Sequence, residues 1–156
     1  MRRVLDRVFV GSQEDCRTSR PGFSVVHTCK VPCHRRALGY RGRLPRDHPG
    51  YLFVEAGDEL FLNLIDPDRP LFHLAVFVRF LDFAAQRLAA GDSLLVHCNL
   101  GRSRAPSLVL LLLAKRCGVL PNTSYDAAVE AFLDLLPGYR PRRGIQAFLR
   151  QHWTEI

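Results

Sequence analysis

Val96-His97-Cys98-Asn99-Leu100-Gly101-Arg102-Ser103-Arg104 decides how this chain is read. The apolar run Leu94-Leu95-Val96 leads into it, and Ala105-Pro106-Ser107-Leu108-Val109-Leu110 follows with the composition of a buried helix. This order predicts a strand that delivers a thiol to a short loop, and a helix that begins where the loop ends. Backbone N–H groups exposed in such a loop, with the positive end of a helix dipole behind them, form a concave anion site. The same field favours thiolate, the nucleophilic form of cysteine. Arg104 adds a planar fork that can hold two phosphate oxygens at once. Gly101 permits positive φ and a close approach of the loop to a ligand. A thiolate beneath an arginine-clamped oxyanion implies phosphate-ester chemistry. Cys98 is then the nucleophile, and Asn99, Leu100, Gly101, Arg102, Ser103 and Arg104 are the phosphate-binding set. The competing reading, a core cysteine beside a solvated arginine, leaves Gly101 and the charge of the loop unexplained.

Working outward, Arg7-Val8-Phe9-Val10-Gly11 and Phe23-Ser24-Val25-Val26-His27 read as strands bounded by turn residues. Pro32, Gly39, Gly42, Pro45, Pro49 and Gly50 make 30–50 a long surface excursion. Residues 51–54 and 60–65, flanking Gly57-Asp58, suggest a strand hairpin. Apolar residues at helical spacing over 71–90 stop at Gly91, and 93–97 is the strand feeding the loop. After a helix over 105–117, Asn122, Thr123 or Ser124 can cap another helix that ends at Pro137-Gly138. A last helix over 141–152 buries Ile145, Phe148, Leu149 and Trp153. Together these elements predict a single α/β domain spanning 1–156, three-layered, with a central mixed sheet flanked by helices.

Composition narrows the setting. The 156 residues are 47% hydrophobic and 24% charged, ordinary for a globular domain. The longest uncharged apolar stretch, 105–114, is too short to span a bilayer, so no transmembrane segment is expected. No apolar leader core precedes Gln13-Glu14-Asp15. Five cysteines without a framework pattern suit a reducing compartment, and the expected location is cytoplasmic. The net charge of +7 is concentrated over 17–54, where Asp47 is the lone acid. Such a surface would attract phosphorylated protein, nucleic acid or anionic lipid. A solvated basic face explains it equally well.

The 96–104 stretch resembles the signature of the cysteine-dependent protein tyrosine phosphatase superfamily, His-Cys followed by five residues and Arg. Gly101 and the Ser103-Arg104 pair are most similar to the dual-specificity branch. Val8-Phe9-Val10-Gly11-Ser12 is similar to that branch's opening strand, and Pro141-Arg142-Arg143-Gly144-Ile145-Gln146-Ala147-Phe148-Leu149 to its closing helix, so the likeness covers most of the chain. It implies a dual-specificity-phosphatase-like fold and hydrolysis of phosphotyrosine, with or without phosphoserine and phosphothreonine. The route would be a phosphocysteine on Cys98, with Arg104 on the phosphoryl oxygens and no cofactor. It also implies a general acid, an aspartate on a mobile loop ahead of the cysteine. Asp66 and Asp68 both fit, and Asp66 is preferred because it directly follows a strand. The excursion at 30–50 departs from the family's minimal pattern. It leaves a phosphoinositide or an RNA 5′-phosphate open as the substrate.

Supporting roles follow from the same comparison. His97 is expected to hydrogen-bond locally and shape the loop, and Ser103 to add a hydroxyl to the loop network. The family usually has Ser or Thr directly after the signature arginine, where its hydroxyl helps the thiolate leave. Here that residue is Ala105, which suits slow turnover or a weakly active phosphate-binding protein unless Ser103 compensates. His27-Thr28-Cys29 and Cys33-His34 gather imidazoles and thiols, but without a second distant ligand pair of zinc-finger type. No metal is assigned. Cys16, Cys29, Cys33 and Cys117 are candidates for a reversible disulfide with Cys98.

Overall fold

The computed structural model describes residues 1–17 and 21–156. Arg20, counted in the basic 17–54 stretch, lies outside them. A six-stranded sheet has the order β1-β2-β6-β3-β5-β4. Its strands are β1 (Arg2–Leu5), β2 (Val8–Gly11), β3 (Phe23–His27), β4 (Phe53–Ala56), β5 (Glu59–Leu62) and β6 (Ser93–His97). The four inner strands are parallel, and β1 and β4 close the two edges antiparallel. The edge strand β1 escapes the sequence reading because only Val4 of Arg2-Arg3-Val4-Leu5 is buried. A strand with one wet side and two arginines carries little apolar pattern. The predicted hairpin forms, with Gly57 at φ +62° in its turn.

The helices are α1 (Arg35–Leu38), α2 (Leu74–Ala89), α3 (Arg104–Lys115), α4 (Tyr125–Leu135) and α5 (Arg143–His152). Period-two alternation assigns the two faces of the sheet. Val8, Val10, Val26, Leu60, Leu62, Leu94 and Val96 point into the main core with α2–α5. Phe9, Phe23, Val25, His27, Phe61 and His97 occupy the alternate positions on the other face, where a thinner layer containing α1 lies. Every α3 residue from Arg104 to Ala114 is buried, so the central helix has no solvated face. The α/β three-layer architecture expected from sequence is the architecture found. Among the described residues, no helix is long and apolar enough to cross a membrane.

Two boundaries differ from expectation for reasons that bear on the site. The strand read over 60–65 ends at Leu62, because Asn63 turns its side chain to the Tyr51 carbonyl at 2.7 Å and the chain leaves the sheet. The helix read from 71 starts at Leu74, since Pro67 and Pro70 hold 66–73 irregular. The excursion at 30–50 is also more than a surface loop. It contains the kinked turn Lys30–His34, in which Val31 is extended, and α1, and it buries Cys33, His34 and Leu44.

His34 anchors that excursion. Its Nε2–H donates to the Gly50 carbonyl at 2.8 Å, and Nδ1 accepts from the Tyr40 hydroxyl at 3.3 Å. Burial, aided by the charges of Lys30 and His48, pushes its pKa below the ordinary histidine value. The unfolded chain therefore takes up this proton near pH ~6.5 while the folded chain refuses it. Unfolding free energy should fall as pH drops through that value, and more steeply in wild type than in His34→Gln. Urea unfolding at about pH 7.5 and 5.5 checks this; equal losses in both proteins would remove His34 from the pH dependence.

Candidate active site

The loop between β6 and α3 is built by close backbone approach. Gly101 sits at φ +67°, and a Cβ there would stand 2.9 Å from the Gly11 carbonyl oxygen. Side chains are excluded on both counts. The Cys98 amide donates to that same Gly11 oxygen at 3.3 Å, and the Gly101 amide donates to Cys98 Sγ at 3.2 Å. Among the described residues, the amides of Asn99, Leu100, Arg102 and Ser103 meet no protein acceptor. Cys98 is 2% exposed, at the base of a recess of about 260 Å³ lined by Asp66, Cys98, Asn99, Leu100, Arg102, Ser103, Arg104, Arg140 and Arg142.

Arg104 is held rigidly. Its Nη1 donates to the carbonyls of Thr28 and Leu64, both at 3.0 Å, and its Nη2 to Asn99 Oδ1 at 2.5 Å. Nε is buried with no hydrogen-bond partner and lies 3.7 Å from Asp66 Oδ2. An arginine fixed on one edge thus keeps a donor for a ligand on the other. Asn99 in turn donates to Gln13 Oε1 at 2.9 Å and to the Val31 carbonyl at 3.0 Å. The Asn99 side chain, which the sequence reading used only for its backbone, orients the guanidinium.

The two candidate acids part company in space. Asp66 Oδ1 accepts from Ser103 Oγ at 3.0 Å and lines the recess. Asp68 is exposed and outside that lining. The Ser103 hydroxyl is committed: it donates to Asp66 and accepts from the Arg142 amide at 3.0 Å. The hydroxyl therefore faces the acid rather than the sulfur, and fully buried Ala105 offers none. The His97 ring also turns away from the loop. It meets His27 on the opposite face of the sheet, Nε2 to Nδ1 at 2.7 Å, while its carbonyl accepts from Thr28 N at 2.9 Å and Oγ1 at 2.7 Å. All five cysteines are free thiols, and Cys16, Cys29 and Cys33 cluster with one another.

The closing segment clamps this arrangement. Arg140 N donates to the Arg102 carbonyl at 2.8 Å and Gly144 N to the Pro67 carbonyl at 3.2 Å. Behind them, Tyr139 OH bonds Ser107 Oγ at 2.9 Å and Tyr125 OH at 3.0 Å. A Cβ on Gly144 would overlap the carbonyl oxygens of Pro67 and Arg69, so glycine alone lets α5 seat against the Asp66 loop. Gly144→Ala should displace that loop and lower kcat by about 10²-fold, the usual cost of misplacing a reacting group by an ångström. Steady-state kinetics on a folded variant checks it; unchanged kcat would show that α5 does not position Asp66.

No protein-family model matches the chain, and no curated protein matches it by sequence. Solved structures do. The human tyrosine phosphatase-like serine/threonine/tyrosine-interacting protein aligns at TM-score 0.68 and 18% identity over 98% of this chain and 95% of that one. Human DUSP28 aligns at TM-score 0.65 and 22% identity over 98% and 91%. PTPMT1, solved in complex with PI(5)P, aligns at TM-score 0.67 and 19% identity over 99% and 94%. The chain has the fold of the dual-specificity phosphatases.

Proposed function

We propose that this chain is a cysteine-dependent phosphomonoester hydrolase of the dual-specificity type, acting on phosphotyrosine. The observation that carries the reading is the meeting of Cys98, Arg104, Asp66 and the unpaired loop amides in one recess. In the first step Cys98 Sγ attacks phosphorus, and the bond to the substrate oxygen breaks. Asp66 gives its proton to that oxygen, so a neutral phenol leaves. The Nε edge of Arg104, which faces Asp66 at 3.7 Å and has no hydrogen-bond partner, and the loop amides take the phosphoryl oxygens as the charge redistributes. In the second step Asp66, now a carboxylate, accepts a proton from water as it attacks the phosphocysteine, and the thiolate departs with inorganic phosphate released.

Three exposed arginines on the rim, Arg102, Arg140 and Arg142, favour a second reading in which the substrate carries a further anionic group. A phosphoinositide, as in the PTPMT1 complex, or a 5′-phosphorylated RNA has that chemistry. A panel of phosphotyrosine, phosphoserine and phosphothreonine peptides, phosphoinositides and 5′-triphosphorylated RNA ranks these by kcat/KM. Phosphotyrosine peptide should lead; preference for a multiply charged lipid or RNA would overturn the peptide reading. Arg104→Lys should lose about 10²–10³-fold in kcat/KM, because a point charge cannot reproduce the fork. Near-normal kcat/KM in that variant would take Arg104 out of the site.

A further inference from the structure

On the face of the sheet opposite α2–α5, four side chains from four separate segments converge: Cys16 from the turn Asp15–Arg17, His27 ending β3, Cys33 from Lys30–His34, and His97 ending β6. One ligating atom from each lies within 4.8 Å of all the others. We propose that Cys16, His27, Cys33 and His97 form a closed structural site for one zinc ion.

Four of the six ligand–ligand edges compare directly with those of a tetrahedral zinc site, and the other two are no longer than 4.8 Å. Zinc–sulfur bonds of about 2.3 Å and zinc–nitrogen bonds of about 2.0–2.1 Å imply edges of about 3.8 Å for S···S, 3.5 Å for S···N and 3.3 Å for N···N. Here Cys16 Sγ to Cys33 Sγ is 3.8 Å and Cys16 Sγ to His27 Nδ1 is 3.5 Å. Cys33 Sγ to His97 Nε2 is 4.0 Å, and the two imidazole nitrogens are 2.7 Å apart. That last edge is short because one ring donates to the other, a contact the cation would replace by opening the pair slightly.

Charge agrees, and so does hydrogen bonding at His27, while the Nδ1 that His97 would leave protonated is buried without a partner. Two protons leave the thiols as the ion binds, so a dication, two thiolates and two neutral imidazoles sum to zero, the balance a buried cluster needs. His27, Cys33 and His97 are buried, and Cys16 is half-buried at the mouth. With the inner nitrogens on metal, His27 carries its proton on Nε2, which has no hydrogen-bond partner and sits 3.4 Å from Glu59 Oε1. A carboxylate behind a ligating imidazole is the usual outer support of a zinc site. Phe61 stacks on the His27 ring at 4.2 Å and 7°, which fixes its plane. A recess bounded by Arg36, Ala37, Glu59 and Phe61 reaches Cys16, His27 and Cys33 and supplies an entry path. Bound metal would tie the 15–17 turn and the 30–34 segment to the end of β3 and to the end of β6, the strand that carries the phosphate-binding loop. The sequence reading assigned no metal because these four ligands share no local spacing motif.

The test is cobalt substitution of the purified, reduced full chain, with Zn²⁺ and Co²⁺ alone as probes. Co²⁺ should bind at one per chain with the intense visible bands of tetrahedral coordination and a thiolate charge-transfer band, and Zn²⁺ should displace it. Cys16→Ser and Cys33→Ser should each weaken Co²⁺ binding and at least halve the charge-transfer band, while Cys117→Ser, remote from the cluster, should keep both unchanged. Cys16→His should retain tetrahedral binding with a weaker thiolate band, which separates ligation from folding. Glu59→Gln should weaken Co²⁺ affinity about 10–100-fold. Octahedral spectra, no uptake by folded protein, uptake unchanged by Cys16→Ser, or a disulfide among Cys16, Cys29 and Cys33 in place of metal would each overturn the proposal.

Discussion

Cys98→Ser should abolish turnover, with kcat falling by about 10⁴–10⁶-fold, while phosphate or vanadate still binds. The hydroxyl is a far weaker nucleophile than a thiolate, and nothing else in the recess can take the phosphoryl group. The anion site survives because it is made by the backbone of 99–104 and by Arg104, whose three anchors on Thr28, Leu64 and Asn99 do not involve the sulfur. Binding is measured by displacement of a fluorescent phosphate analogue and turnover by phosphate release. Residual kcat within tenfold of wild type would remove Cys98 as the nucleophile. Loss of anion binding together with turnover would mean the substitution collapsed the loop.

Asp66→Asn should lower kcat by about 10²–10⁴-fold on a phosphotyrosine peptide, the range expected for a lost general acid. The amide can still accept from Ser103 Oγ, so the loop contact at 3.0 Å is kept and the missing proton is isolated as the cause. The deficit should shrink on p-nitrophenyl phosphate, whose leaving group hardly needs protonation. The alkaline flank of the pH–kcat profile should flatten as well. Asp68→Asn, at an exposed residue outside the recess, should leave both profile and rate close to wild type. The reverse pattern would move the acid by two residues.

What could be read from sequence was what is contiguous in sequence. The β6 strand, the 98–104 loop and α3 follow one another without interruption, so their apolar patterning and the Cys98–Arg104 spacing carried both the fold and the candidate nucleophile. Asp66 is distant, and only the family resemblance brought it forward; its place against Ser103 and Arg104 comes from the irregular 63–73 segment that Asn63, Pro67 and Pro70 create. The Asn99 side chain was missed because orienting an arginine leaves no periodic mark. Gly144 lay inside a quoted motif, but its close approach to the Pro67 and Arg69 carbonyls is a tertiary contact. The excursion at 30–50 read as surface from its glycines, prolines and charges, and buried Cys33, His34 and Leu44 contradict that, with His34 hydrogen-bonded to the Gly50 carbonyl. His27 and His97 carried a faint signal. Each ends a parallel apolar strand at a position alternate to the core residues, and in-register pairing sets them side by side.

The central claim is that phosphoryl transfers to Cys98 before it reaches water, and rapid acid quench tests it most directly. Ala105 supplies no hydroxyl and Ser103 is turned to Asp66, so departure of the thiolate should be the slower step and the intermediate should accumulate. Wild-type protein mixed with radiolabelled phosphotyrosine peptide and quenched within the first turnover should carry label on the peptide containing Cys98. A burst of dephosphorylated peptide of matching size should accompany it, and Cys98→Ser should show neither. Turnover without label on Cys98, or no turnover on any phosphoester of the panel, would contradict the account.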